Sequence, residues 1–85
     1  MESTELGEVE RRLIAEVARS LSIEPAELTQ ETHLASIGIN SMILVRLFVF
    51  IEGAFNINLM EAGCSRADLQ DIGSLAARIH AVRGS

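Results

Sequence analysis

The sequence predicts an all-α fold, a four-helix bundle with a short third helix and a long first loop. In the first 21 residues, apolar side chains recur every three or four positions, the spacing that places them on one face of a helix. A second, strongly apolar segment begins at Ser41. The stretch between them is polar and contains Pro25, the only proline, which opposes helix formation. For 85 residues we expect one domain, spanning residues 1–85 with a core from about residue 5 to 82.

The charge of the chain limits the partners that it can bind. Seven basic and twelve acidic residues give a net charge of −5 at pH 7. Nucleic-acid phosphates and anionic membrane surfaces both require a basic face, so we expect neither as a partner. The apolar runs are too short for a membrane span, which needs about twenty residues, and the first residues lack a signal pattern. The sequence therefore predicts a soluble, cytoplasmic protein, and we expect a monomer.

Cys64 is the only cysteine of the chain, so no internal disulfide can form. No group of cysteine and histidine residues has the spacing of metal ligands, and we predict no metal site. The expected role of Cys64 is that of a small, buried apolar side chain.

The first helix is expected from about Thr4 to Leu21. Glu8 and Arg12 form an acidic-then-basic pair at i,i+4, which supports a helix by roughly a few tenths of a kcal/mol. One face of this helix should pack on a core. That face consists of Leu6, Val9, Leu13, Ile14, Val17, Ala18 and Leu21.

A long loop from Ser22 to Ile39 follows the first helix. Pro25 fixes its own φ angle and disfavours helix at Glu24, so the first helix must end before it. A loop of about 18 residues is long for a small domain and is usually functional or anchored. We expect four apolar residues to anchor it on the core: Ile23, Leu28, Leu34 and Ile37.

The second helix is expected from about Ser41 to Phe55 and is apolar nearly all round. Residues placed at steps of about 100° give a core face made of Leu44, Leu47, Phe48, Ile51, Ala54 and Phe55. The opposite side carries Met42, Val45, Arg46, Val49 and Gly53, with Glu52 nearby. Two interpretations stay open. In the first, loop residues cover Met42 and Val45; in the second, Met42, Val45 and Val49 form an exposed strip for partners.

The remaining sequence predicts two further helices. The alternating residues from Asn56 to Leu59 are expected to be extended or looped. A brief third helix is expected from Ser65 to Leu69, with Ser65 as N-cap and Asp68 at its third position. The last helix is expected from about Gly73 to Val82. Its inward-facing residues are Leu75, Ile79 and Val82, and Asp71 or Gly73 lies near its cap.

Ser41 is placed where a glycine-containing turn meets the start of the second helix. Its hydroxyl would lie beside unpaired backbone N–H groups and the positive end of a helix dipole, a natural position for a phosphate ester. Asparagine and serine are also favoured helix caps, so Asn40 or Ser41 could serve that role alone. Nucleophilic catalysis is not expected, because the only histidines, His33 and His80, show no triad-like spacing. We interpret His33 as an ordinary loop histidine.

The residues around Ser41 resemble the attachment site of acyl and peptidyl carrier proteins, whose serine typically lies in a glycine-x-aspartate-serine-leucine motif. The matching residues are Gly38, Asn40, Ser41 and Met42. The resemblance extends from about Val9 to Ile79, and it depends on the order and spacing of many matches. The further matches are Ile23-Glu24-Pro25, Leu28, Thr32 and Leu34 in the loop, Val45, Leu47, Glu52 and Phe55 in the second helix, Ile57 and Leu59 after it, and Leu75 to Ile79 at the end.

This resemblance implies a four-helix bundle of acyl-carrier type and a non-catalytic function. It implies that a separate phosphopantetheinyl transferase attaches phosphopantetheine, as a covalent cofactor, to Ser41. The thiol of this arm would hold an acyl or aminoacyl group as a thioester. The partners implied are the transferase, an acyl- or aminoacyl-loading ligase, and downstream synthase, condensing or tailoring enzymes. The residues expected to contact them are Asn40, Met42, Val45, Arg46 and Val49.

Two departures from the family pattern affect this interpretation. Asn40 replaces the usual aspartate and lacks its charge, which could weaken recognition by some transferases. Arg46 and Gly53 each occupy a position that commonly holds glutamate in the family. Because this helix is usually acidic, its electrostatic docking to partner enzymes should be weak in this chain. We therefore expect partners that differ from those of general fatty-acid synthesis.

The pathway and the working role stay open between several alternatives. We favour a discrete carrier in polyketide, nonribosomal peptide or hybrid natural-product assembly, and a carrier of primary fatty-acid synthesis is the alternative. Two other possibilities are a carrier-fold module that is never modified, and an unrelated helical docking domain that presents Met42, Val45 and Val49.

Overall fold

The computed structural model describes residues 5–83, apart from the side chains of residues 5 and 60. Within this range the fold is all-α. The helices are α1, Glu5–Leu21; α2, Ser41–Phe55; α3, Leu59–Ala62; and α4, Ile72–Arg83. Three 3₁₀ turns lie between them, at Pro25–Glu27, Leu34–Ile37 and Ala67–Leu69. In this part of the chain, no helix has both the length and the apolar character that crossing a membrane requires.

The three long helices α1, α2 and α4 enclose one hydrophobic core. Leu13 of α1, Ile51 of α2 and Ile79 of α4 are completely buried. No polar side chain among the described residues belongs to this core, as expected from the cost of burying polar groups without partners. The buried residues are Val9, Leu13, Val17, Ala18, Leu28, Leu34, Leu47, Ile51, Phe55, Leu59, Ile72, Leu75, Ala76 and Ile79.

The structure confirms the predicted second helix and its core face. α2 begins at Ser41 and ends at Phe55, as the sequence pattern predicts. Of the six predicted core residues, Leu47, Ile51 and Phe55 are buried. The other three pack against the core as partly buried side chains, namely Leu44, Phe48 and Ala54.

The ends of the first and last helices agree closely with their predictions. α1 ends at Leu21, and its predicted start at Thr4 lies outside the described residues. α4 extends one residue beyond the predicted span at each end, from Ile72 to Arg83. Its predicted inward residues Leu75 and Ile79 are buried, and Val82 packs partly buried against the core.

The third helix lies earlier in the chain than predicted. α3 starts at Leu59, so the prediction of an extended or looped segment is wrong at that residue. The physical reason is Asn58, whose Oδ1 accepts a hydrogen bond of 3.2 Å from the N–H of Glu61. An asparagine that accepts this bond caps a helical turn. The alternating apolar residues of this segment gave no indication of that turn.

The segment predicted to be the third helix, Ser65 to Leu69, contains only the 3₁₀ turn Ala67–Leu69. The predicted pairing of Ser65 and Asp68 is present: the N–H and hydroxyl of Ser65 donate to Asp68 Oδ2 at 2.9 and 3.1 Å. Arg78 of α4 donates from Nε to the same oxygen at 3.1 Å. The Ser65–Asp68 pair therefore stabilises a tight turn against α4 and does not start an α-helix.

The long first loop is fixed to the start of α4 by backbone hydrogen bonds. The N–H groups of Ile72 and Gly73 donate to the carbonyl oxygens of Thr32 and Gln30, at 3.2 and 2.7 Å. N–H groups in the first turn of a helix have no acceptor within that helix. The carbonyl oxygens of the loop supply these acceptors, so the hydrogen bonds pair backbone groups of both the loop and the helix.

A second contact with the loop lies just before α4. The N–H of Leu34 donates to the carbonyl oxygen of Gln70 at 3.0 Å, beside an antiparallel bridge between His33 and Asp71. All four predicted loop anchors pack on the core. Leu28 and Leu34 are buried, and Ile23 and Ile37 are partly buried.

Asp71 caps α4. Its Oδ1 accepts a hydrogen bond of 2.7 Å from the backbone N–H of Ser74. This bond, followed by one from the Ser74 side chain, holds the pKa of the Asp71 carboxyl below its ordinary value, although partial burial acts in the opposite direction. Of the two predicted positions for the cap, the structure selects Asp71.

The C-terminal end of α2 is joined to two other helices through Phe55. The guanidinium carbons of Arg12 and Arg83 each lie 5.3 Å from the centroid of its ring. Phe50 meets the same ring edge-on, with the centroids 6.2 Å apart. These distances are within the range of favourable cation–π and aromatic contacts, so Phe55 links α1, α2 and α4.

Candidate functional site

The chain enters α2 through a sharp turn at Gly38. This residue has a φ angle of 87°, in the left-handed region that glycine adopts without strain. Its N–H donates to the carbonyl oxygen of Ala35, and the N–H of Ile39 donates to that of Leu34 at 3.3 Å. Because Leu34 is buried and Ile39 packs partly buried against the core, the turn is fixed to the core, and the residues that follow it, Asn40 and Ser41, are exposed.

Asn40 is the N-cap of α2. Its Oδ1 accepts a hydrogen bond of 2.9 Å from the N–H of Ile43, and its carbonyl oxygen accepts one of 2.9 Å from Leu44. The sequence left open whether Asn40 or Ser41 fills this role. The structure assigns it to Asn40, and Ser41 is the first residue of the helix.

Ser41 is therefore free of any capping role. Its side chain is exposed, and its hydroxyl makes no hydrogen bond with another described residue. The N–H groups of Ser41 and Met42 likewise donate to no acceptor within the described chain. The hydroxyl thus lies beside two unpaired donors and the positive end of the dipole of α2, which together favour a negatively charged substituent there.

An apolar ridge follows Ser41 along the outer side of α2. It consists of Met42, Val45 and Val49, whose side chains are 68, 61 and 65 % exposed. The prediction that these residues form an exposed strip is confirmed, and the alternative that loop residues cover Met42 and Val45 is wrong. Arg46, also exposed, stands on the same side. We call Met42, Val45 and Val49 the α2 ridge.

Two grooves flank the α2 ridge. The first, of about 610 Å³, lies between α1 and α2 and is lined by Glu16, Arg19, Ser20, Val45, Arg46, Val49 and Phe50. The second, of about 420 Å³, lies on the α3 side and is lined by Val45, Phe48, Val49, Glu52, Asn58, Leu59 and Glu61. The sequence pattern did not indicate that residues of α1 and α3 line these grooves. Only the tertiary packing brings them beside α2.

The two histidines are not arranged for catalysis at Ser41. His33 is exposed in the loop, where it contributes to the backbone bridge with Asp71. His80 is in α4, and its Nδ1 is buried without a hydrogen-bond partner among the described residues. No hydrogen bond joins either imidazole to Ser41 within the described chain. Among the described residues, no group of three or more histidine, cysteine, aspartate or glutamate side chains is placed so that it could hold a metal ion.

Cys64 is half-buried and packs against the core, close to its predicted role. Burial raises the pKa of its thiol, and the negative charge of Asp68 raises it further, while Arg78 acts in the opposite direction. A thiol with a raised pKa is a weak nucleophile near neutral pH. Cys64 is therefore not a candidate reactive group.

The chain matches one protein-family model over residues 1–81, and that model describes the C-terminal ACP domain of the highly reducing polyketide synthase sdgA. Searches of curated proteins and of solved structures gave no match. The match extends from the first helix through nearly all of α4 and includes the turn at Gly38, Ser41 and the α2 ridge. The chain therefore belongs to the acyl carrier protein domains of polyketide synthases, which are non-catalytic carriers.

Proposed function

We propose that residues 1–85 form a single four-helix carrier unit whose Ser41 holds a covalent phosphopantetheine arm. The observation that carries this proposal is the exposed hydroxyl of Ser41 at the first position of α2. Asn40 occupies the cap, so the hydroxyl has no structural bond to give up on modification. Membership of the carrier family implies the arm, and Ser41 is the residue that matches the family's attachment motif.

The modification is a transfer of phosphopantetheine from coenzyme A. The Oγ of Ser41 attacks the phosphorus next to pantetheine, a new O–P bond forms, and the pyrophosphate bond of coenzyme A breaks. The adenosine bisphosphate half leaves, and the hydroxyl proton passes to a base of the transferase. The product is a phosphodiester with one negative charge. The unpaired N–H groups of Ser41 and Met42 and the dipole of α2 stabilise that charge.

The carrier acts by holding a reacting group near successive active sites. The thiol of the arm binds an acyl group as a thioester, and the partner enzymes carry out the chemistry. Tethering raises the effective concentration of the acyl group at each active site, which replaces a bimolecular encounter by an intramolecular one. The polyketide-type family favours an acyl cargo over the aminoacyl cargo of nonribosomal peptide carriers.

We infer that the chain serves polyketide assembly, either as a discrete carrier or as a domain of a larger synthase. Its partners would be a phosphopantetheinyl transferase, an acyl-loading enzyme and the condensing and tailoring enzymes of that pathway. The exposed surface beside Ser41 that these enzymes can contact consists of Asn40, the α2 ridge and Arg46. Weaker docking to enzymes of primary fatty-acid synthesis is expected, because Arg46 would repel a basic docking surface.

Intact-protein mass after incubation with coenzyme A and a promiscuous phosphopantetheinyl transferase tests the proposal. We expect a gain of one phosphopantetheine that disappears in Ser41→Ala. Ser36→Ala is the matched control, because Ser36 is also exposed and lies five residues earlier, where its hydroxyl only donates to the carbonyl oxygen of His33. A gain that persists in Ser41→Ala, or its absence in the folded parent protein, would contradict the proposal.

The exposure of the α2 ridge also favours a second candidate function. A carrier-fold module that is never modified could use Met42, Val45 and Val49 as an interaction surface alone. The same mass measurement separates the two functions, because only the carrier function requires an arm on Ser41.

A further inference from the structure

Six residues on the outer side of α2 form one continuous surface. Successive residues of an α-helix are about 100° apart, so these six positions point within about 60° of the direction of Val49. All six are exposed, namely Met42, Val45, Arg46, Val49, Glu52 and Gly53. An exposed apolar patch with charges at its edges is typical of a protein interaction site, and the pattern of those charges indicates which kind of partner fits it.

The two charges of this surface are placed symmetrically about Val49. Arg46 lies three residues before Val49 and Glu52 three residues after it, so each is about 4.5 Å from Val49 along the helix axis. Neither is in an ion pair within the described part of the chain. Glu52 also lies in the last turn of α2, where the helix dipole disfavours a negative charge. These two charges therefore do not stabilise α2 itself.

A second copy of the chain, running in the opposite direction, matches this surface. When two copies of α2 pack antiparallel with Val49 against Val49, residues at equal distances before and after the centre lie at the same level. Arg46 then lies level with Glu52 of the partner subunit, and symmetry repeats this ion pair. Gly53 of the partner subunit lies beside Arg46. A Cβ at Gly53 would meet no atom within 4 Å, so this position is open and leaves room for the arginine side chain.

The same arrangement covers the apolar α2 ridge. The two Val49 side chains meet at the centre, and Val45 and Met42 lie along the seam between the helices. A standard interface uses about 20–30 residues on each side, far more than the six of this surface. The dimer is therefore weak and reversible, and the expectation of a monomer from the sequence applies at low protein concentration.

We propose that two copies of this chain associate as a weak antiparallel dimer through the α2 ridge, with reciprocal ion pairs between Arg46 and Glu52. This inference goes beyond the proposed function, because it identifies a second copy of the chain as a partner. It does not depend on an arm on Ser41.

Sedimentation equilibrium of the unmodified, full-length chain tests the proposal. We expect a Kd for the dimer of about 0.1–1 mM. Arg46→Glu and Glu52→Arg should each raise this Kd at least about fivefold, because both ion pairs become repulsive contacts. The double variant Arg46→Glu/Glu52→Arg should recover the parent Kd, since an exchange of the two charges keeps both pairs.

A mixture of the two single variants gives the sharpest test. On this surface Arg46→Glu carries two negative charges and Glu52→Arg two positive charges. A mixed dimer therefore forms both ion pairs, and its Kd should be equal to or below that of the parent. Arg11→Glu and Glu8→Arg are the matched controls, because both positions are exposed on α1 and undergo the same changes of charge. The controls should keep the parent Kd, and circular dichroism confirms that each variant is folded.

Three outcomes would overturn the inference. The first is a parent protein that stays monomeric at about 1 mM, which would leave the α2 ridge to a different protein. The second is an unchanged Kd in both single variants. The third is a double variant, or a mixture of the single variants, that associates no better than each single variant alone. All these measurements use protein without an arm, so the proposed function is tested separately by the mass measurement on Ser41.

Discussion

The backbone N–H of Gly73 donates a hydrogen bond of 2.7 Å to the carbonyl oxygen of Gln30. This bond joins the start of the last helix to the middle of the loop that leads into Ser41, although the two residues are far apart in sequence. An added Cβ at Gly73 would lie 2.9 Å from the same oxygen. The close approach of loop and helix therefore requires glycine at this position.

Gly73→Ala should lower the free energy of unfolding by about 1–3 kcal/mol, because the methyl group collides with backbone that cannot move aside easily. Gly53→Ala is the control, since a Cβ at this exposed position in α2 meets no atom within 4 Å. It should raise the free energy of unfolding by about 0.5–1 kcal/mol through helix propensity alone. Urea unfolding measures both changes. A stabilisation of equal size by both alanines would contradict the close contact at Gly73.

Asn40→Ala should lower the free energy of unfolding by about 1 kcal/mol, because it removes the acceptor for the N–H of Ile43. Asn40→Asp keeps an acceptor at this position and adds a negative charge at the helix N-terminus, so it should be neutral or slightly stabilising. Thermal or urea unfolding at neutral pH distinguishes the two variants. Equal losses in both would show that the side-chain oxygen does not cap α2.

The lowered pKa of Asp71 predicts a specific dependence of stability on pH. The carboxylate is held charged in the folded state by the N–H of Ser74, so its folded pKa lies below its unfolded value of about 3.9. Its contribution is fully present above the unfolded pKa and is lost as the pH falls through the folded pKa. Asp71→Asn keeps a capping oxygen and should flatten this acidic part of the stability curve. Urea unfolding at a series of pH values measures the free energy of unfolding of both proteins. The same dependence on pH in the variant and the parent would contradict a stabilising contribution from the Asp71 carboxylate.

Arg12 and Phe55 should show a measurable energetic coupling. The guanidinium lies 5.3 Å from the ring centroid, and such contacts are worth about 0.5–1 kcal/mol at exposed sites. Arg12→Met should therefore cost about this amount in the parent protein and little when Phe55 is replaced by leucine. Arg11→Met, at an exposed position in the same helix, is the control without a ring contact. A coupling near zero in this double-mutant cycle would exclude a stabilising cation–π contact.

The helices that the sequence predicted correctly are those with long, regular apolar patterns. The pattern from Ser41 to Phe55 spans about four turns. Helical periodicity alone assigns its residues to a buried or an exposed face, without knowledge of the tertiary structure. α3 was misplaced because it depends on one side-chain bond, from the N–H of Glu61 to Asn58, over four residues with no room for a periodic pattern. Short turns depend on such local bonds, which periodicity does not report.

For the candidate site, the exposure of Met42, Val45 and Val49 was one of two interpretations of the sequence, favoured because a small domain cannot wrap a helix that is apolar on all sides. Cover of Met42 and Val45 by loop residues was the other interpretation, and the position of the loop decides between them. The sequence could not predict which of Asn40 and Ser41 caps the helix, since both residue types are suited to that role. The grooves depend on where α1 and α3 lie beside α2, and that information is tertiary.

An arm on Ser41 would give the protein two sulfhydryl groups of unequal reactivity. The one on Cys64 is shielded, and its raised pKa leaves little thiolate at physiological pH. The thiol at the end of a solvent-exposed arm keeps an ordinary pKa. Electrophiles and thioester exchange therefore react with this thiol in preference to Cys64. We therefore expect maleimide labelling to mark the arm in preference to the polypeptide, and a bound acyl group to escape self-transfer onto Cys64.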